Sequence, residues 1–229
     1  MKIFAHDPRF IFDGRDDSKT DAVVVREIWC ENVYEVFDGD LNDTGIVVDL
    51  GANIGAFTLY AAALGAKKVI AVEPQKENVE MLVKNVGANR HNVPNCEFVF
   101  DERGISGYMG EAMMNAKHGD SSIVGVHSST MNTPAGKEDF TQRIRTTTLD
   151  GLFKDHGLEF IDVLKIDIEG LEGEVILAAS ESTLNLCRYI TLEYDQHAND
   201  LGAIVEKLSK THQIKYVGSN GGMLFGKRY

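Results

Sequence analysis

Positive charge is scarce in this 229-residue chain: 23 lysines and arginines stand against 35 aspartates and glutamates, a formal net charge of -12. Such a surface repels phosphate backbones, so bulk nucleic-acid binding is not expected. Cysteine is scarcer still. Cys30, Cys96 and Cys187 lie far apart, odd in number and without a C-x-x-C pair, which excludes a disulfide framework or a zinc finger and suits inert thiols in a reducing compartment. Long apolar runs are missing: "FTLYAAALGA" (57–66) is too short to span a bilayer. The opening "MKIFAHDPRFIFDGRDDS" has charges throughout and no apolar core of a secretion signal. These absences lead to the expectation of a cytoplasmic protein that binds no membrane.

The apolar fraction, 43%, is ordinary for a globular protein, and the length fits one domain over residues 1–229 that needs no staples. Residues 1–44 read as a polar lead-in and a covering layer. Within them "AVVVREIWCENVYEVF" (22–37) suits a strand followed by a helix, or an irregular layer; with Trp29 it either covers the core or forms a homodimer contact. Regular alternation follows. "GIVVDL" (45–50), "KVIAVEP" (68–74) and "CEFVF" (96–100) are strand runs separated by helical ones. In the second of these helices Val79, Leu82, Val83 and Val86 share a face, and Gly87 is the expected stop. Residues 104–141 break the pattern and read as an irregular insertion near the substrate pocket, with short hairpin strands around "GYMGEAMM" and "SSIVGV". "FIDVLKIDI" (160–168) and "RYITLEYD" (188–195) are the fourth and fifth core strands, and Asn220–Gly221 marks a terminal hairpin. Strand–helix alternation of this kind predicts an α/β fold with a mostly parallel sheet. Ligands bind such sheets at the strands' carboxyl ends, where Asp49 to Gly55, Glu73, the residues after Phe100, Asp167 and Glu193 should converge.

"VVDLGANIG" (47–55) is a glycine turn between a strand and a helix, and glycines there allow sharp turns and close backbone approach. Its G-A-N-I-G-A lacks the middle glycine of a dinucleotide loop, Asn53 standing in its place, and no G-K-[ST] follows. A ligand without phosphates fits better, and S-adenosylmethionine is one. Asp49 with the backbone of 51–55 would hold its amino-acid part, and Glu73, ending the second strand, would accept ribose hydroxyls.

"VVDLGANIGAFTLYAA", "AVEP", "TTTLDGLF", "IDVLKIDIEGLEGEVI" and "ITLEYD" together resemble the FkbM family of S-adenosylmethionine-dependent methyltransferases, over roughly residues 25–195. The resemblance implies a Rossmann-like class I methyltransferase fold, seven strands in the order 3-2-1-4-5-7-6 with helices on both faces. It places Asp49, Gly51, Asn53 and Gly55 on the methionine side, Glu73 on the ribose, and Gly104 and Ile105 beside the adenine. By family analogy the acceptor is a hydroxyl on a sugar, a glycan or a polyketide-like small molecule.

Methyl transfer to an alcohol benefits from a base or a metal. Strand alternation sets Lys165, Asp167 and Glu169 on one side if the strand continues that far, which makes Asp167 the first candidate base or orienter and Glu169 the second. Glu169 could equally begin the next helix. Glu193, with Asp195 two residues on, is a third candidate. Three carboxylates could hold Mg²⁺, yet no compact ligand motif appears and a metal-free site is favoured. Lys165 could pair with an acid rather than touch substrate. His118 and His127 are loop histidines, and Met109, Met113 and Met114 suit core filling or an adaptable pocket. No [DN]-P-P-[YFW] motif points to methylation of base amino groups. The alternatives are a non-catalytic nucleotide-binding protein with the same fold and, less well supported, an NAD-dependent oxidoreductase.

Overall fold

A computed structural model describes residues 1–18, 20–34, 45–114, 123–124, 142–194, 200–218 and 222–229. The chain opens with β1 (Lys2–Phe4), β2 (Ile11–Asp13) and α1 (Asp21–Trp29). It continues with β3 (Ile46–Leu50), α2 (Ala56–Ala63), β4 (Lys68–Val72), α3 (Lys76–Asn89) and β5 (Glu97–Asp101). Four strands and a helix follow: β6 (Gly104–Ile105), β7 (Gly110–Met114), β8 (Ile123–Val124), β9 (Gln142–Thr147) and α4 (Leu149–Asp155). The last third holds β10 (Ile161–Ile166), α5 (Glu172–Ala178), α6 (Glu181–Leu184), β11 (Cys187–Tyr194), α7 (Leu201–Leu208), β12 (His212–Gly218) and β13 (Gly222–Arg228).

The central sheet has seven strands in the spatial order β12-β13-β11-β10-β3-β4-β5. Strands β11, β10, β3, β4 and β5 run parallel, and β13 is antiparallel to both of its neighbours. Numbered along the chain among themselves, these seven read 3-2-1-4-5-7-6 from the β5 edge. The other strands lie outside that numbering, in a β1-β2 pair and a four-stranded sheet β6-β9-β7-β8. Successive strand residues point to opposite faces, so Val47 and Val69 enter one apolar core while Val48 and Ile70 enter the other. Helices α1, α2 and α3 cover the first core; α4, α5 and α7 cover the second.

The N-terminal segment is no lead-in. Phe10 and Phe12 are fully buried against Trp29, whose indole Nε1 donates to the Ala56 carbonyl at 3.0 Å. Trp29 thus serves the core, and residues 21–29 form a helix where a strand leading into a helix was one expectation. Asparagines on α3 hold the segment down. Asn89 Oδ1 accepts from Ile11 N at 3.0 Å while its Nδ2 donates to Ile11 O at 2.8 Å, and Asn85 engages Asp13 in the same way at 2.7 and 3.1 Å. Four residues apart on a helix, the two amides act as a substitute strand for β2. They also move the buried stripe of α3: Asn78, Leu82, Asn85, Val86 and Asn89 face inward and Val83 is exposed, contrary to the expected apolar face. The helix runs through Gly87 to Asn89, because a side chain there would meet open space and nothing forces a turn.

Gly104–Met114 is likewise built, not irregular: β6 pairs with β9 and β7 with β9. The expected hairpin strands appear as β7 and β8. His118, His127, Asp195, the Asn220–Gly221 turn and most of 115–141 lie outside the described residues.

Candidate active site

β3 ends at Leu50 and the chain turns at once. Gly51 (φ +78°) leaves no room for a side chain: a Cβ there would sit 1.7 Å from the Asp167 carbonyl oxygen. The glycine therefore lets the ends of β3 and β10 touch, and Asp167 N donates to Leu50 O at 3.1 Å. Gly55 (φ +89°) has a packing role too, because a Cβ would meet Leu82 of α3 at 2.7 Å. The loop's amides are spent internally. Gly51 N and Ala52 N donate to Val72 O, Gly55 N to Ala52 O, and Asn53 N to Glu73 Oε2 at 2.9 Å. So these four backbone groups do not point at a ligand, as the glycine turn had suggested they would.

Glu73 is buried, its second oxygen accepting from Gln75 N at 2.9 Å. Burial raises its carboxyl pKa against the pull of these hydrogen bonds. It lines a narrow cleft with Gly51, Asn53, Asn78, Ile105, Met114, Asp167 and Glu169. Asn53 Oδ1 is buried on that wall with no hydrogen-bond partner among the described residues. Arg15 reaches the cleft from outside: its Nη1 donates to Asn78 Oδ1 at 2.7 Å, while Nη2 pairs with the buried Asp21 at 2.6 Å.

Across the Gly51–Asn53 ridge lies a second cavity of about 370 Å³. It shares Gly51, Asn53, Asp167 and Glu169 with the cleft and adds Glu27, Tyr34, Phe57, Lys165, Glu193 and Met223. Lys165 is fully buried. Its ammonium donates to Gly51 O at 2.8 Å and Leu50 O at 3.2 Å, and lies 3.1 Å from Asp49 Oδ1 and 3.4 Å from Asp167 Oδ2. Burial alone would lower its pKa, but Asp49 and Asp167 outweigh that and raise it, so the cation stays charged and committed. Tyr34 donates to Asp167 Oδ2 at 3.0 Å and packs edge-on against Phe57. Burial first, then the Asp167 charge, push the Tyr34 phenol well above its ordinary pKa and keep it a donor. Glu193 keeps its side chain exposed to solvent while β11 on either side of it is buried; desolvation by the surrounding protein, then repulsion from Asp167, push its pKa up to about 7.

Of the sequence-read candidates, Gly51, Asn53, Glu73, Ile105, Asp167, Glu169 and Glu193 line these two cavities. Three residues sit behind the walls. Asp49 is completely buried and holds Lys165 and the Thr58 hydroxyl (2.6 Å), so it does not line the cleft; Gly55 packs on α3, and Gly104 is a buried strand residue of β6. β10 stops at Ile166. Glu169 reaches the wall from a turn at φ +58°, outside both the strand and α5, whose buried Glu172 closes that turn by accepting from Ile168 N and Gly170 N. Tyr34 and Glu27 were not anticipated: nothing local in "REIWCENVY" shows that it folds over a strand end 133 residues away. Among the described residues no group of three or more His, Cys, Asp or Glu side chains could hold a metal ion. No described helix is long and apolar enough to cross a membrane.

A cleft at the carboxyl ends of a seven-stranded sheet, split by the glycine turn after its central strand, defines a class I methyltransferase fold. A Streptococcus mutans protein assigned as a methyltransferase and solved in complex with SAH shares it, with a TM-score of 0.54 at 11% identity over 87% of this chain and 97% of that one. The Methyltransferase FkbM domain matches residues 49–216, and the chain belongs to the FkbM methyltransferase family. Methyltransferase sdnD of Sordaria araneosa is 26% identical over 198 residues, covering 77% of this chain and 76% of that protein. The AMB antimetabolite synthetase AmbE of Pseudomonas aeruginosa is 29% identical over 196 residues, which cover 74% of this chain but 9% of the synthetase.

Proposed function

We propose that this chain is an S-adenosylmethionine-dependent O-methyltransferase acting on a hydroxyl of a sugar, glycan or polyketide-like small molecule. One observation carries the reading: two adjoining compartments, one with a buried ribose-type carboxylate and one with candidate bases, meet at Asn53 and Asp167.

The residues fit the methyl donor. Glu73 would take the ribose hydroxyls, the unpaired Asn53 Oδ1 would accept from the donor's amino group, and Ile105 with Met114 would border the adenine. The walls carry carboxylates, the buried lysine is neutralised, and the amides of Gly51, Ala52, Asn53 and Gly55 are spent, which disfavours a pyrophosphate and favours a sulfonium cation. When bound, the donor supplies an activated methyl group that passes to the acceptor oxygen as the carbon–sulfur bond breaks.

The chain's own residues then have two tasks. Tyr34 and Lys165 fix one oxygen of Asp167 and orient that carboxylate over the junction. Glu193, with its pKa raised to about 7, takes the hydroxyl proton near neutral pH, with Asp167 the alternative acceptor for it and Glu169 the third candidate. The 370 Å³ cavity is at the lower end of the ~300–1,000 Å³ of small-molecule pockets, which favours a compact acceptor group over a polymer duplex. The name of the antimetabolite synthetase relative supports a small-molecule acceptor as well.

The test is mass spectrometry of small metabolites and glycans incubated with the protein and methyl-labelled S-adenosylmethionine. A new O-linked label that vanishes in Asp167→Ala is expected. Absence of any label beyond the heat-killed control overturns the reading.

A further inference from the structure

The acceptor chamber is electrically lopsided. Five carboxylates stand in or directly behind its wall: Glu27 on α1, Asp49 at the end of β3, Asp167 and Glu169 after β10 and Glu193 on β11. Against them, among the described residues of the wall, is one buried ammonium, Lys165, already held by Asp49, Asp167 and two carbonyls. The cation nearest Glu27 in sequence, Arg26, pairs with Glu31 at 2.9 Å. Crowding is felt on the groups themselves: Glu27 is raised by burial and then by Glu31, with Arg26 opposing and Asp167 adding, and Glu193 by desolvation and then by Asp167, with Lys165 opposing and Glu27 adding.

These carboxylates are not close enough for three to share a metal ion. Much of the rest of the wall is apolar or aromatic, with Val24, Ile28, Tyr34, Phe57 and Met223. Separated negative charge on an apolar, partly aromatic wall suits an organic ammonium, whose charge sits on a body that fills the space. An anionic acceptor would add a further negative charge to a chamber that already has an excess.

Resting on the methyl-transfer reading of this site, we propose that the chamber selects an acceptor carrying a positively charged amine close to the hydroxyl, and that Glu27 is a specificity-determining residue supplying its counter-charge. Glu27 and Tyr34 come from the N-terminal layer and precede residues 49–216, the region the family model matches, while the rest of the charged wall lies within it.

Three size-matched probes test the proposal: ethanolamine, ethylene glycol and glycolate, titrated by protein-observed NMR with and without S-adenosylhomocysteine. Ethanolamine should bind saturably and at least tenfold more tightly than the other two. That preference should fall to less than threefold in Glu27→Gln and survive in Glu27→Asp, with an unaltered circular dichroism spectrum in both. Equal binding of ethanolamine and ethylene glycol, no saturable ethanolamine binding, or an unchanged preference in Glu27→Gln overturns it. Failure of S-adenosylhomocysteine to bind while the amine preference persists counts against the methyl-transfer reading and leaves the charge selection standing.

Discussion

The hydroxyl of Tyr34 donates to Asp167 Oδ2 at 3.0 Å, joining the N-terminal layer to the end of the fourth core strand across 133 residues of chain. Lys165 reaches the same oxygen at 3.4 Å. Asp167 is therefore held by two groups and cannot turn freely away from the junction of cleft and chamber.

Tyr34→Phe removes one of these holds and keeps the ring against Phe57. The loss of a single hydrogen bond to a charged group should cost about 1.5–3 kcal/mol at most, and less here because the carboxylate keeps Lys165. Urea unfolding checks the figure. A variant as stable as wild type would mean that the contact orients nothing.

Lys165 and Asp49 form a buried pair, so removing one partner strands a charge. Lys165→Met is expected to destabilise by about 3–5 kcal/mol, and the double variant Lys165→Met/Asp49→Asn to recover a large share of that loss. Because the folded lysine pKa is raised, its stabilising contribution is complete below the ordinary lysine pKa and disappears only as pH climbs through the folded value. Equal losses in the single and double variants, measured by denaturant titration, would contradict the pairing.

Glu193 acts with the opposite sign. A carboxyl whose folded pKa is about 7 binds its proton more tightly in the folded state, so its presence lowers stability as pH rises from the ordinary carboxylate range to about 7, with no further change above. Glu193→Gln should match wild type in acid and be the more stable protein at pH 8. Melting curves across pH 4–8 test this; a constant difference at every pH would contradict the raised pKa.

Gly51 and Gly65 both have positive φ but different surroundings. Gly65→Ala meets nothing within 4 Å and should cost only the ~1–2 kcal/mol of the left-handed backbone. Gly51→Ala must push the ends of β3 and β10 apart, since its Cβ would lie 1.7 Å from the Asp167 carbonyl oxygen. Its loss should be clearly larger and should spread to the cleft. Similar melting temperatures for the two variants would show that strand contact does not explain Gly51.

The contrast between these glycines also shows what a sequence can and cannot carry. "VVDLGANIG" announces a strand and a turn because both are local, and the seven core strands were legible for the same reason. The purpose of each glycine was not: Gly51 and Gly55 are small to let β10 and α3 approach, a fact about residues 116 and 27 positions away. Asp49 read as a ligand group because it precedes the loop, yet the pleat turns it inward onto Lys165 and Thr58. Tyr34, Glu27 and the asparagine clasp on β2 stayed hidden, since each acts only where distant segments meet.

The account turns on Glu73 as the ribose partner of a methyl donor, and isothermal titration with S-adenosylhomocysteine reaches that claim most directly. Wild-type protein should bind one equivalent saturably, and Glu73→Gln, which keeps the side-chain shape, should bind at least tenfold more weakly, about 1.4 kcal/mol. No saturable heat with the wild type, or equal affinity in the two proteins, would contradict it.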